Sequence, residues 1–294
     1  MLDDPRARER VLRFHAMWLD YERLPHAPDL TAALEAETSA LLGRVIFDEN
    51  RPYHDVFQSS ETFISDYLAQ HYGLPLPGSV EPVWVDYGDS GRKGLLSHGS
   101  FLSVGAKAGD TSPTLRGKVI RTRLFCEIIS PPPPGVNTDE PPATSEDSCK
   151  WDDYAIHRDQ ALGCATCHNL MDPIGFGLEN YDHQGRYRTH DKGKPQCTIA
   201  GVGEIAGVGE FSGPGELADL MISTGDLDEC VIVQLYRFAM GRYDLVDEDF
   251  EFIDLVAERV LEDPNFSLEQ VLVEFVSPHN SPIAVRRSRR DHHS

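Results

Sequence analysis

The chain has 294 residues, with 27 Lys or Arg against 48 Asp or Glu, so its formal net charge is −21 at pH 7. This charge excludes a nucleic-acid binder that works through a broad basic face, because such a protein neutralises phosphates with Lys and Arg. No stretch approaches the roughly 20 apolar residues of a membrane-spanning helix. At about 100–200 residues per domain, the length predicts two domains.

Residues 1–75 have apolar side chains at helical spacing and few glycines, which predicts a helical bundle. Asp4 before Pro5 is a typical helix start, and the first helix is expected to stop before Pro25. A second helix is predicted over 29–46. A third is predicted over 62–72, where Gly73 supplies a usual stop.

Residues 76–148 form a Pro/Gly-rich connecting region with one predicted helix, over 113–125, capped by Ser112. This helix carries the densest group of cations outside the tail, here called the basic cluster: Arg116, Lys118, Arg121 and Arg123. We interpret the basic cluster as a solvated face, and the alternative is a docking site for an anionic group. Four prolines at 131–134 predict an extended spacer.

Residues 149–280 are predicted to form a second helical domain, followed by a basic disordered tail at 281–294. Its helices are predicted over 153–162, 216–223, 229–241, 248–261 and 268–276. Ser267 and Gln270 have the spacing of a capping box at the last helix. The repeat AGVGE at 200–204 and 206–210 predicts a short β-hairpin, because Ala206 replaces the third glycine that a dinucleotide-binding motif requires.

One motif carries chemistry: Cys164 and Cys167 are followed directly by His168. C-x-x-C-H is the attachment motif for c-type haem, in which two thiols bond the porphyrin and the histidine becomes an axial iron ligand. A dithiol redox pair and a zinc site that includes Cys149 and His157 are the alternatives. We favour haem c, so residues 149–280 are predicted to form a cytochrome c-like helical haem domain within a mainly α protein that has one small β-hairpin.

The sixth iron ligand decides between electron transfer and catalysis, because a second strong ligand leaves no open position. Met240 and Met221 are the candidates with suitable separation from His168, although methionine is also a common core filler. Three histidines remain further candidates: His157, His183 and His190.

Several segments together resemble one family. Residues 171–182, MDPIGFGLENYD, are similar to the DPIGF signature that follows C-x-x-C-H in exported planctomycete-type cytochrome-associated proteins of unknown function. Residues 94–102, 112–134, 211–218 and 236–242 resemble other segments of these proteins, and residues 13–19 resemble the end of their helical domain. The resemblance implies an exported haem protein, without a settled reaction.

The start of the chain departs from this family. Its members are longer at the N-terminus and begin with an export signal, whereas residues 1–6 lack the basic and then apolar order of such a signal. We expect the chain to begin inside the helical domain, with Met1 an internal start or a fragment boundary. The expected location is the periplasm or another exported compartment.

The remaining cysteines and acidic residues have less specific interpretations. Cys126, Cys149, Cys197 and Cys230 are expected to pair in an oxidising compartment, and the sequence leaves all three pairings open. Solvated acidic faces are the preferred interpretation of the carboxylates considered for acid–base roles: Asp153, Glu179, Asp182, Asp191 and residues 247–249.

The favoured function is a one-haem electron-transfer module that meets an unidentified redox partner protein. The first alternative is an open-site haem enzyme of peroxidase type. The second is a structural or interaction protein in which haem only staples the fold. An electron-transfer or redox-partner role is favoured over an independent catalyst. The sequence contains no G-x-S-x-G motif and no P-loop.

Overall fold

The computed structural model describes residues 4–106, 109–132, 142, 145, 147–159 and 163–277. The predicted tail at 281–294 lies outside the described residues, as do residues 160–162 of a predicted helix and residues 133–134 of the proline run. Within the described part, the protein is mainly helical with three small antiparallel two-stranded sheets. The predicted mainly α class with a small hairpin is therefore confirmed.

Among the residues that the structure describes there are twelve α-helices and six strands, divided between the two halves of the chain. The first half has six of these helices and two of these strands. Their bounds are α1 Pro5–Leu19, α2 Pro28–Gly43, α3 Asp55–Gln58, β1 Glu61–Ile64, α4 Asp66–Tyr72, β2 Val83–Asp86, α5 Gly99–Leu102 and α6 Pro113–Val119. Both α2 and α6 continue into a π-helical turn, over Arg44–Asp48 and Ile120–Leu124. Asp4 caps α1 and Ser112 caps α6 through side-chain hydrogen bonds, as the sequence predicts.

The second half contains six helices and four strands. Their bounds are α7 Lys150–Asp153, α8 Ala165–Phe176, β3 His190–Asp191, β4 Lys194–Thr198, β5 Val202–Ile205, β6 Gly209–Ser212, α9 Gly213–Thr224, α10 Asp226–Met240, α11 Asp247–Val260 and α12 Leu268–Val276. The AGVGE repeat forms the hairpin of β5 and β6, with Val202 opposite Ser212. Ser267 and Gln270 form the predicted capping box of α12.

Two helix predictions are wrong. Residues 62–64 belong to β1, because the β-branched and aromatic side chains of ETFI alternate between buried and half-buried positions and pair with β2. The helix predicted over 153–162 is replaced by α7 and a 3₁₀ turn, Tyr154–Arg158. The C-x-x-C-H motif consequently begins a helix, α8, instead of ending one.

The main hydrophobic core contains residues from both ends of the chain. Phe14 of α1 lies 5.5 Å from Phe238 of α10, measured between ring centroids, and Val271 of α12 is buried in the same cluster. A smaller cluster around Leu34 and Leu68 joins α2 to α4. None of the helices among the described residues is long and apolar enough to cross a membrane.

Candidate functional site

The C-x-x-C-H motif lies at the start of α8. Cys164 occupies the N-cap position, and Cys167 and His168 lie in the first turns. Residues three and four apart share one face of a helix, so both thiols and the imidazole lie on the same side of α8. Both cysteines are partly exposed and take part in no disulfide.

The other four cysteines form two disulfides, one between Cys126 and Cys230 and one between Cys149 and Cys197. The four cysteines therefore pair as expected, and the structure selects one of the three pairings that the sequence left open. The thiols that stay outside disulfides are those of the haem-attachment motif. Cys149 is not available as a ligand for the alternative zinc site, because its sulfur is bonded to that of Cys197.

A buried carboxylate anchors His168. Asp172 lies one turn later on α8 and is only 3% exposed. His168 Nδ1 is 3.1 Å from Asp172 Oδ1, and His157 Nδ1 is 3.0 Å from Oδ2 of the same carboxylate. Thr114 of α6 donates its hydroxyl to Oδ1 at 2.7 Å. Asp172 is thus the centre of a polar group, here called the Asp172 cluster, which also contains His157, His168 and Thr114.

The hydrogen bonds of the Asp172 cluster favour the ionised form of its carboxyl. Burial alone raises the pKa of Asp172, but hydrogen bonds from His157, His168 and Thr114 together hold the pKa of this carboxyl below its ordinary value. Because each imidazole faces the carboxylate with Nδ1, this nitrogen donates the hydrogen bond to Asp172. Nε2 of each histidine is therefore the ring nitrogen that Asp172 does not use.

The two imidazoles also touch each other. Their ring centroids are 3.7 Å apart at an interplanar angle of 35°. The side chains are about one-fifth exposed, at 20% for His157 and 23% for His168. One ligand atom from each of His157, His168 and Asp172 lies within 4.8 Å of the others, which is compact enough to hold a metal ion.

Two glycines hold α8 tightly against α6. A β-carbon on Gly117 of α6 would lie 1.8 Å from the carbonyl oxygen of Met171, and one on Gly175 of α8 would lie 1.9 Å from that of Pro113. The two backbones are therefore in direct contact at two points. This contact brings Thr114 within hydrogen-bond distance of Asp172.

A second carboxylate lies just beyond α8. Glu179 is 1% exposed and its carboxylate contacts three cations: Arg116 at 3.2 Å, Lys150 at 3.0 Å and Arg188 at 2.7 Å. Thr111 donates a further hydrogen bond at 2.6 Å. These residues are here called the Glu179 cluster. Interpreting Glu179 as part of a solvated acidic face is wrong, because its charge is buried among permanent cations.

The solvated-face interpretation of the basic cluster is also wrong for two of its members. Arg116 is 4% exposed and also donates to the backbone carbonyls of Leu178 and Tyr181. Arg121 is 5% exposed and donates to the Leu170 carbonyl of α8 at 3.1 Å. These arginines are buried because α6 lies on α8, a contact that helical periodicity alone does not reveal.

The candidate sixth ligands lie elsewhere in the fold. Met221 of α9 is fully buried in the main hydrophobic core, and Met240 at the end of α10 is 48% exposed. His183 lies near His26, with 6.2 Å between ring centroids, and the exposed His190 contacts Thr189. His157 is the candidate that the fold brings against His168.

Sequence reasoning did not assign Asp172 and Thr114 their roles. The sequence contained one usable signal, because Asp172 is four residues after His168 and a helix places such a pair on one face. The helix predicted over 153–162 ended before the motif, so this pair was not expected on a helix. Thr114 is 54 residues from His168, and only the contact of α6 with α8 brings it to the site.

Two segments match family models. Residues 92–191, which include the motif and both carboxylate clusters, match PSCyt3, a protein of unknown function (DUF1588). Residues 1–74 match PSD4, a protein of unknown function (DUF1592). Both are planctomycete cytochrome-associated domains, so this part of the resemblance is confirmed. No curated protein and no solved structure matches the chain.

Proposed function

We propose that the protein is a c-type cytochrome-like electron-transfer module that binds one covalent haem c. The observation that carries this proposal is the start of α8, where two thiols outside any disulfide share a helix face with an imidazole anchored through Nδ1. Cys164 and Cys167 would form the thioether bonds, and Nε2 of His168 would be the axial ligand. The matches to cytochrome-associated domains support the same assignment.

The residues around the motif fit such a group. The bound haem would supply a one-electron couple at its iron. Asp172 holds the imidazole of His168 in one tautomer and orientation, and a carboxylate partner of this kind raises the basicity of the ligand nitrogen. Trp151 of α7 and Ile156 of the 3₁₀ turn after it are 53% and 54% exposed and offer apolar surface for a flat apolar cofactor.

Arg121 is the member of the basic cluster that suits a haem propionate. Its Nη1 is paired with Glu127 at 2.8 Å, while its Nη2 is buried and has no hydrogen-bond partner among the described residues. An unpaired guanidinium nitrogen beside α8 fits an anionic group, because charge-assisted hydrogen bonds are the strong ones. Arg116 does not fit this role, because its guanidinium already pairs with Glu179 and donates hydrogen bonds to backbone carbonyls.

Covalent attachment is tested on the full chain expressed with an export signal and a haem-maturation system. Haem is expected to stay on the denatured polypeptide, and replacing Cys164 and Cys167 by Ala should remove it. The matched control replaces Cys149 and Cys197, which removes a disulfide and leaves the motif intact. Complete extraction of haem from the original chain by acidic organic solvent would contradict the proposal.

An open-site haem enzyme is the second candidate, and the carboxylate on His168 favours it. A strongly basic axial ligand supports the chemistry of bound peroxide, which needs a vacant sixth position. Optical spectra separate the two candidates. Six-coordinate low-spin iron is expected for electron transfer, and five-coordinate high-spin iron would indicate the enzyme.

The partner and the location belong to the same proposal. A net charge of −21 would steer a basic redox partner protein, with an association rate that falls as salt screens the charges. Haem attachment to this motif and two disulfides are both compatible with an exported protein. An association rate that does not change between low and high salt would contradict a charge-steered partner.

A further inference from the structure

A cavity far richer in cations than the rest of this acidic chain lies between α1, the turn after α6 and the end of α10. Its volume is about 860 Å³, and five arginines line it: Arg10, Arg13, Arg123, Arg237 and Arg242. Among the described lining residues there is no Asp or Glu. Acidic residues outnumber basic ones 48 to 27 in the sequence, so this lining departs strongly from the average surface.

Part of this lining has a structural explanation. Arg123 donates to the last carbonyls of α1, at Met17 and Trp18, and pairs with Asp20. Arg242 pairs with Asp249. Both arginines would therefore be retained without any ligand, and neither carries the inference.

Arg237 has a partial explanation, since it lies in the last turn of α10 and its Nε donates to the Tyr243 carbonyl at 3.1 Å. Arg10 and Arg13 lack such an explanation. Arg10 and Arg237 form no ion pair with any residue that the structure describes, and the carboxylate nearest to Arg13, that of Glu22, is 3.9 Å away. Arg10 and Arg13 lie one turn apart in the middle of α1, too far from its ends to offset the helix dipole. Several guanidinium groups facing one cavity repel each other unless an anion joins them.

Aromatic side chains form the other part of the lining. Phe14 and Trp18 stack at 5.4 Å between ring centroids and are almost completely buried. Phe238 packs against Phe14, and Tyr243, which is 69% exposed, lies beneath the guanidinium of Arg237 at 4.4 Å from its ring centroid. The cavity thus combines aromatic side chains with five arginines, of which Arg10 and Arg237 have no carboxylate partner among the described residues, and its volume is in the range of small-molecule sites.

We infer that this cavity binds an organic anion that has a flat aromatic body and two or more phosphate or carboxylate charges. Guanidinium groups bind both kinds of anion through paired hydrogen bonds, and the aromatic residues provide a surface for the body. The lining contains none of the four residues of the Asp172 cluster, so the inference does not depend on haem.

The test uses the full chain and three probes in calorimetric titrations. ATP carries both the charge and the flat body, tripolyphosphate carries only charge, and adenosine carries only the body. ATP is expected to bind at least about ten-fold more tightly than either fragment. Quenching of tryptophan fluorescence should accompany binding, because Trp18 lines the cavity.

Variants locate the binding. Arg13→Gln combined with Arg237→Gln should weaken ATP at least about ten-fold, while the melting temperature stays that of the unchanged chain. Arg6→Gln is the matched control, because Arg6 lies on the same helix, is 86% exposed and is outside the cavity. Equal ATP affinity in the double variant, no ATP binding at all, or equal affinities for ATP and tripolyphosphate would overturn the inference.

Discussion

The Glu179 cluster and the Asp172 cluster each centre on a buried carboxylate, yet they differ in the partners around it. Glu179 is surrounded by the basic side chains of Arg116, Lys150 and Arg188. Asp172 accepts from two imidazoles and one hydroxyl. Arg and Lys side chains neutralise the charge of a carboxylate. An imidazole that is hydrogen-bonded to a carboxylate becomes a more basic ligand at its second nitrogen.

Because of this difference, we expect the Glu179 cluster to stabilise the fold and the Asp172 cluster to determine the reactivity of its two histidines. The Glu179 cluster connects α6 to the segment after α8 and to the strand region near Arg188, so we expect its loss to unfold the protein. The Asp172 cluster uses Nδ1 of His157 and of His168 and leaves their Nε2 atoms outside its hydrogen bonds. We therefore expect its loss to change reactivity more than stability.

The largest expected effect is that of Glu179→Gln. Removing the negative charge leaves the buried Arg116 without its carboxylate partner, while Lys150 and Arg188 keep Asp110, and this should lower the free energy of unfolding by about 3–5 kcal/mol. Urea denaturation measures this loss. Glu61→Gln, at a partly exposed ion pair with Arg44, is the control and should cost less than about 1 kcal/mol. A similar loss in both variants would contradict the structural role of the Glu179 cluster.

A pH titration tests a third buried polar side chain, His15, whose ring nitrogens contact the Val11 carbonyl and the Tyr53 hydroxyl and no carboxylate. Burial lowers the pKa of His15 to about 4, against the small opposing effect of the Val11 carbonyl. Because the unfolded chain takes up this proton near pH 6.5 and the folded chain only near pH 4, stability falls as the pH drops through that window. The loss is on the order of 3 kcal/mol.

His15→Gln checks this origin, because glutamine does not titrate. Unfolding free energies between pH 7 and pH 4 should show a smaller slope in the variant than in the unchanged chain. His190→Gln, at an exposed position in β3, should leave the slope unaltered. Equal slopes in all three proteins would assign the acid sensitivity to other groups.

A smaller loss is expected from Gly175→Ala, which acts on the contact that supports both clusters. The added methyl would overlap the Pro113 carbonyl and push α8 away from α6, costing about 1–3 kcal/mol. Gly209→Ala is the control, since its methyl would meet only Leu220, at 3.6 Å. Thermal unfolding compares them, and an unchanged melting temperature in Gly175→Ala would disprove the close contact.

The smallest effect on stability is expected from Asp172→Asn. The amide keeps the size of the carboxylate but weakens the hydrogen bonds from His157, His168 and Thr114, for a loss of about 1–2 kcal/mol. Nitrogen chemical shifts of the imidazoles should show that protonation is no longer confined to Nδ1. A stability loss as large as that of Glu179→Gln would contradict the expectation that the Asp172 cluster contributes less to stability than the Glu179 cluster.

The sequence predicted much of the local structure. The periodicity of α1, α10, α11 and α12 gave their positions within a few residues, and the caps at Asp4, Ser112 and Ser267 form as expected. The C-x-x-C-H motif identified the segment that lies beside Asp172. These signals are local, because a helix cap or an attachment motif needs only residues a few positions apart.

The tertiary structure determines which polar residues are buried and which residues they contact. Arg116 and Glu179 each look like members of solvated faces, and only the packing of α6 on α8 makes them a buried pair. His157 was one of several equivalent histidines until the fold stacked it against His168. The sequence by itself determined the helices and the attachment motif because both follow from short-range spacing. The disulfide pairing, the Asp172 cluster and the arginine-lined cavity depend on contacts between distant segments, which spacing along the chain does not encode.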